Sequence, residues 1–253
     1  MKQVRAMVST AIIIFAALLY GIAHSQEQSV IDTYKNGNPH TSKYSSDKAA
    51  PEGFIIKKDT VYEQYEGGKT KRATLADNFK LPGDMVLKGG TEIELHEAGT
   101  LARAVLAVDW QIPNGPVIKA GEVEFYNDGR TKKAVVAKDF ELMNGFIIKA
   151  GTTHELYYSR SLKKAVPAKD FTLPDGLIVK AGTEFEQYES GLVKRMTLAE
   201  DYQKSNGMII KGNTELENFE NQKIKRVTLV DDWKAPDGVL IKAGVEFKRD
   251  KAD

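Results

Sequence analysis

Short apolar runs and alternating apolar–polar segments follow one another along the chain in a fixed order. In Pro174-Asp175-Gly176 the proline presets φ and the glycine supplies a positive φ, so the triplet predicts a turn. The apolar run Leu177-Ile178-Val179 comes next, then Lys180-Ala181-Gly182, which reads as a bend or bulge. Thr183 to Tyr188 alternates in polarity and is rich in β-formers, which predicts a strand. Glu189-Ser190-Gly191 makes a tight hairpin turn. The return strand, Leu192 to Leu198, sets Lys194, Met196 and Leu198 on one face and Arg195 and Thr197 on the other. An Asp-aromatic pair follows, Asp201-Tyr202, with Asp109-Trp110, Asp139-Phe140, Asp170-Phe171 and Asp232-Trp233 at matching places.

The whole pattern repeats. Its start positions are Gly53, Asp84, Gly115, Gly145, Gly176, Gly207 and Gly238, a period of 31 residues with one unit of 30. The short unit lacks a residue at Gly121-Glu122-Val123-Glu124. A regular period of this size marks a repeat architecture. The polar stretch after residue 25 first reads as a linker. Yet Tyr34-Lys35-Asn36-Gly37 matches Tyr188-Glu189-Ser190-Gly191, and Tyr34 to Gly53 has the same separation as Tyr188 to Gly207. Residues 26–52 are therefore a degenerate N-terminal repeat. Residues 53–247 form the array proper, six full units plus a C-terminal half unit, and 248–253 are a charged tail.

The expected fold is all-β, without helical periodicity outside the first 25 residues. A parallel solenoid would stack Arg72, Arg103, Lys133, Lys164, Arg195 and Arg226 in one row and Glu63, Glu94, Glu124, Glu155, Glu186 and Glu217 in another, and like charges directly opposite are unfavourable. An antiparallel meander of hairpins turns the same residues into alternating cross-strand pairs, each worth a few tenths of a kcal/mol. The meander is expected, as an open twisted sheet or as a closed, propeller-like ring.

The segment Tyr65-Glu66-Gly67-Gly68-Lys69-Thr70-Lys71-Arg72, and its counterpart from Tyr188 to Arg195, resembles the core of MORN-type repeats, in particular the diverged YwqK-like variety of bacterial proteins. The resemblance covers a hairpin of about ten residues per unit. The unit here is longer, with added Lys-Ala-Gly and Asp-aromatic segments. The resemblance implies β-hairpin arrays used as scaffolds or interaction surfaces, and no catalytic residues.

The N-terminus changes the picture of compartment. Lys2 and Arg5 precede an apolar run from Ala11 to Leu19, and Ala23-His24-Ser25 places small residues at −3 and −1 before Gln26. These are the parts of a secretory signal peptide, residues 1–25, with cleavage expected after Ser25 and a periplasmic or extracellular destination. The alternative is an uncleaved anchor from Ala6 to Ala23, at the lower edge of a spanning length; membrane contact is expected only through this segment. Cleavage removes two basic residues and leaves the mature chain nearly neutral. The formal net charge of +1 argues against nucleic acid as a partner. With no cysteine, a disulfide framework, Cys-ligated zinc and thiol catalysis are excluded.

Candidate chemistry is repetitive. Lys57, Lys88, Lys119, Lys149, Lys180, Lys211 and Lys242 occupy one position, either a basic stripe for an anionic polymer or a solvated ladder. The row Phe79, Trp110, Phe140, Phe171, Tyr202 and Trp233 reads as a core layer sealing adjacent units, with an aromatic sugar platform as the alternative. A second row, Tyr65, His96, Tyr126, Tyr157, Tyr188 and Phe219, borders the hairpin turn and is the better binding candidate, together with Lys88, Lys119, Lys149 and Lys180. The recurring Asp is expected to cap a turn. No metal or other cofactor is expected, since no dense Asp/Asn/Gly loop is present. His154-Glu155 opens like a metalloprotease motif, but Tyr158 stands where the second His would be. Pro116, Arg160 and Pro167 break the repeat without suiting acid–base chemistry, so a noncatalytic protein is expected. Its partner would be another envelope protein, alternatively a glycan or envelope lipid, with a glycosidase-like enzyme as the third reading.

Overall fold

The structure, a computed structural model, describes residues 28–235 and 238–250. The expected signal segment lies outside the described residues, as do the last three positions of the charged tail. Among the described residues all regular structure is β apart from the 3-10 turn Pro82–Asp84, where Gly83 (φ 76°) and Asp84 (φ 60°) both take left-handed backbone.

The chain divides into two compact units, Met1–Ala107 with Asn127–Gly129 and Val108–Tyr126 with Arg130–Asp253. Each is an antiparallel meander. In the first, Gln28–Thr33 pairs with Pro39–Tyr44, and the ladder continues through Tyr62–Gln64, Thr70–Thr74, Glu92–Leu95 and Leu101–Leu106. In the second it runs from Val117–Phe125 through Thr131–Val136, Thr153–Leu156, Leu162–Ala165, Phe185–Gln187, Val193–Thr197, Glu215–Asn218 and Ile224–Thr228 to Glu246–Lys248. In neither unit does the last strand pair back on the first, so neither sheet is closed into a barrel. Of the two forms the sequence allows, the structure takes the open one.

Each long hairpin is followed by a two-residue ladder closed by the Pro-Asp-Gly type of turn. Phe171–Thr172 pairs with Ile178–Val179, and the same motif recurs at Phe140–Glu141 with Ile147–Ile148 and at Tyr202–Gln203 with Ile209–Ile210. The Gly176 N–H donates to the Leu173 carbonyl at 2.9 Å, and Gly176 sits at φ 89° as the turn requires. These short hairpins supply a second layer of apolar side chains. In the second unit Phe146, Leu177, Val179 and Ile210 from the short hairpins pack in one core with Ala165, Phe185, Met196, Leu216 and Val227 from the long strands. Burial of large apolar side chains at about 1.5–3 kcal/mol each is the main term holding such a layer pair together.

The shortened repeat has a visible consequence. Where other units break at Lys-Ala-Gly, Val117–Phe125 runs as one nine-residue strand, with Gly121 at φ 136°. Deleting one residue of the bend fuses two strands into one.

Candidate functional site

The outer face of each sheet carries the alternating charges. Register pairs place Glu63 opposite Arg72 and Arg72 opposite Glu94 in the first unit. In the second, Lys133 faces Glu155, Lys164 faces Glu186 and Arg195 faces Glu217 across neighbouring hairpins. The cross-strand pairing that distinguishes the meander from a solenoid is thus present.

A lysine adds a second cation at most of these glutamates; at Glu94 the matching residue is Ala102. Lys194 Nζ lies 3.0 Å from Glu186 and Lys132 Nζ 3.0 Å from Glu124, while Lys225 Nζ lies 2.6 Å from Glu217. Strict alternation assigns Lys194 to the face of Met196, but the structure brings it to Glu186 on the charged face. The register shift between Glu186 and Gln187 makes this possible, because a bulge re-aims the side chains beside it. Burial alone would raise the Glu186 carboxyl, but hydrogen bonds from Lys194 and Arg195 outweigh it and hold the group down at about 2. The alternation ends at Lys248, which faces Arg226 where the pattern would place a glutamate.

The tyrosine row has a definite structural role. Each hydroxyl donates to a main-chain carbonyl 30 residues ahead, in the next repeat. Tyr34 reaches Gln64, Tyr65 reaches Leu95 and Tyr126 reaches Leu156, all at 2.8 Å, while Tyr157 reaches Gln187 and Tyr188 reaches Asn218 at 2.9 Å. The rings are half-buried, as are His96 and Phe219 at the same position. The row therefore strings the hairpins together and leaves only ring edges and faces for a partner.

The recurring aspartates also bond within the array. Asp109, Asp139, Asp170, Asp201 and Asp232 each accept the main-chain N–H eleven residues on, at 2.7–2.9 Å, closing the Lys-Ala-Gly bend. Asn78 does the same for Gly89. The expected capping role is what the structure contains. The aromatic that follows is half-buried, and Phe171 makes an edge contact with Phe146 at 5.2 Å.

The lysine row lies at these bends. Lys88, Lys119 and Lys149 are exposed and make no ion pair among the described residues, whereas Lys242 meets Asp232 at 2.7 Å and Lys180 donates to Asn213. The tyrosine row borders the hairpin turns at the other end of the long strands, so the structure does not gather the two candidate rows into one site.

Three features escape a reading by rows. His154 is 3% exposed and sits where other repeats have Ile93, Val123, Phe185 and Leu216, and its Nδ1 has no hydrogen-bond partner. Burial pushes the imidazole below its ordinary 6.5, against a smaller opposing effect of a hydrogen bond to the Ala134 main chain. Tyr158 is exposed, packs edge-on to Tyr126 at 5.2 Å and lies under the Arg130 guanidinium at 4.5 Å. Finally, two clefts with mixed apolar and polar walls open between the short hairpins and the long-hairpin tips of the second unit, one of ≈ 750 Å³ around Phe146, Phe171 and Leu192, the other of ≈ 390 Å³ around Met208 and Trp233. Subtracting the repeat consensus from each unit would have exposed His154 and Tyr158. Among the described residues no group of three or more His, Asp or Glu is placed to hold a metal ion. No protein-family model matches the chain, and comparison with curated proteins gives no significant match.

Proposed function

We propose that the chain is an exported, noncatalytic β-repeat scaffold that presents its extended surface to another protein of the cell envelope, in the manner the MORN-type resemblance implies. One observation carries the reading. The recurring polar side chains bond to the neighbouring strand or repeat instead of converging on a point: tyrosine hydroxyls on carbonyls, aspartates on bend N–H groups, glutamates on lysines and arginines. Such a design extends a surface by adding units, and stacked repeats create long binding faces. The test is crosslinking and pull-down from the native envelope. A specific protein partner is expected; recovery of polysaccharide alone would overturn the scaffold.

A second reading is favoured by the unpaired lysines at the bends. Lys88, Lys119 and Lys149 are exposed at one repeat position, which suits an anionic glycan or lipid headgroup. Binding to an anionic glycan array that disappears when these three become Gln would select this reading over the first.

A further inference from the structure

The chain contains four Asn-Gly pairs, Asn36-Gly37, Asn114-Gly115, Asn144-Gly145 and Asn206-Gly207. All four asparagines are exposed at turns. In each turn the glycine N–H donates to the carbonyl three residues back, that of Tyr34, Ile112, Leu142 or Lys204, at 2.9 Å. Exposure and the glycine bond therefore do not tell the four apart. The residue after the glycine does. In three turns its main-chain N–H donates to the asparagine Oδ1: Asn38 to Asn36 at 2.9 Å, Phe146 to Asn144 at 3.1 Å and Met208 to Asn206 at 3.2 Å. In the fourth that residue is Pro116, which has no N–H to give.

Pro116 changes the backbone as well. A proline drives the residue before it out of the helical regions. Gly37, Gly145 and Gly207 take left-handed backbone, at φ 85°, 82° and 84°. Gly115 does not, and Asn114 takes that conformation in its place, at φ 56°. Glycine adopts a left-handed φ without steric cost, whereas a side chain makes it strained. The repeat-breaking proline thus deprives Asn114 of the bond that holds the other carboxamides and loads its backbone.

We propose that Asn114 is a site of spontaneous covalent modification, the first of the four asparagines to convert to aspartate and isoaspartate, with water as co-reactant. The Gly115 main-chain nitrogen gives its proton to solvent and attacks the Asn114 Cγ. The Cγ–Nδ2 bond breaks, and the amide nitrogen takes up a proton and leaves as ammonia. Water then opens the five-membered imide, at one carbonyl to aspartate and at the other to isoaspartate. One water enters, one ammonia leaves, and nothing is oxidised or reduced. Glycine suits the attacking position because no Cβ shields its nitrogen. At the other three sites the carboxamide must first break its Oδ1 bond to swing onto that nitrogen.

The products alter the turn in two ways. Aspartate at position 114 reproduces the triplet Pro174-Asp175-Gly176 and adds a negative charge to an exposed loop. Isoaspartate routes the main chain through the side-chain carbon, which lengthens the turn and pulls the Gly115 N–H away from the Ile112 carbonyl. The turn is a one-way clock that marks the age of the molecule. The inference is independent of both readings of function.

The full-length chain is held folded in mildly alkaline buffer, sampled over days, digested and analysed by mass spectrometry. The amide-to-acid mass increase should appear about fivefold faster at Asn114 than at Asn144 or Asn206, the factor that one hydrogen bond supplies. The same incubation in urea should bring the four sites to a common rate, because every reacting pair is Asn-Gly. Pro116→Leu installs the residue found at Leu177, restores the N–H and should slow Asn114 to the rate of Asn144. Equal rates in the folded chain, the same excess at Asn114 in urea, or no slowing in folded Pro116→Leu would each overturn the proposal. If that variant does not fold, the comparison of folded and urea-unfolded parent chain decides.

Discussion

His154 is the residue at which local chemistry departs furthest from its surroundings. On its strand pair it faces Ala134, while Glu155, Lys133 and Lys164 project from the opposite face. A buried nitrogen without a partner costs about 1–3 kcal/mol. His154→Leu, which installs the residue found at Leu216, should therefore stabilise the fold by about 1 kcal/mol at neutral pH. The pH dependence has a definite sign. The folded state resists protonation, so below the ordinary value of 6.5 the unfolded state takes up protons that the folded state does not. Stability is complete above that value and declines as pH falls beneath it. Urea midpoints at pH 7.5 and 5.5 should differ in the parent and converge in His154→Leu; an unchanged difference would assign the sensitivity elsewhere. At the tyrosine row, Tyr157→Phe removes one donor from the Gln187 carbonyl and should lower stability by about 1 kcal/mol in the same assay.

At the level of the hairpin and its bend, much was legible in the sequence. Glu63 and Arg72 sit either side of a tight turn, so the pairing of acidic and basic strands follows from alternation and from the cost of stacking like charges. That the recurring aspartate caps a turn was legible as well, but not which turn, because its donor lies eleven residues on, at the next bend. The tyrosine bond was not. Its acceptor is 30 residues away, and a fixed spacing in the sequence does not reveal which side-chain atoms meet across repeats.

The bends also differ in a way composition does not reveal. A Cβ on Gly212 would lie 2.5 Å from the main-chain carbon of Glu200, although Ala150 and Ala181 occupy the same repeat position. Gly212→Ala should cost about 1–3 kcal/mol through this backbone contact, while Ala181→Gly should cost under about 1. Equal small effects in chemical denaturation would show that the bend relaxes. Glu186, held at about 2 against an ordinary 4.5, contributes stability that is complete above 4.5 and lost as pH falls toward 2, a window separate from that of His154.

In the second unit, the cross-strand charge pairs and the tyrosine hydroxyl bonds that link consecutive repeats are made by groups that recur in the next repeat. This modularity gives the last prediction. Removing Gly176–Asn206, one full period, joins Asp175 to Gly207 and restores a turn of the same type. Tyr157 would then meet the Asn218 carbonyl that Tyr188 now holds, and Lys164 would face Glu217 in place of Glu186. No core position is orphaned, because Ala165 would pack beside Leu216 as it now does beside Phe185. When each repeat contacts only its neighbours, stability is a sum of unit and interface terms, so the shortened chain loses one of each. It should fold with an unchanged β signature by circular dichroism, a lower urea midpoint, and an m-value reduced in proportion to the surface removed. Loss of cooperative unfolding in the deletion would mean that the units depend on contacts beyond their neighbours, as in a closed architecture, where removing one unit breaks the whole.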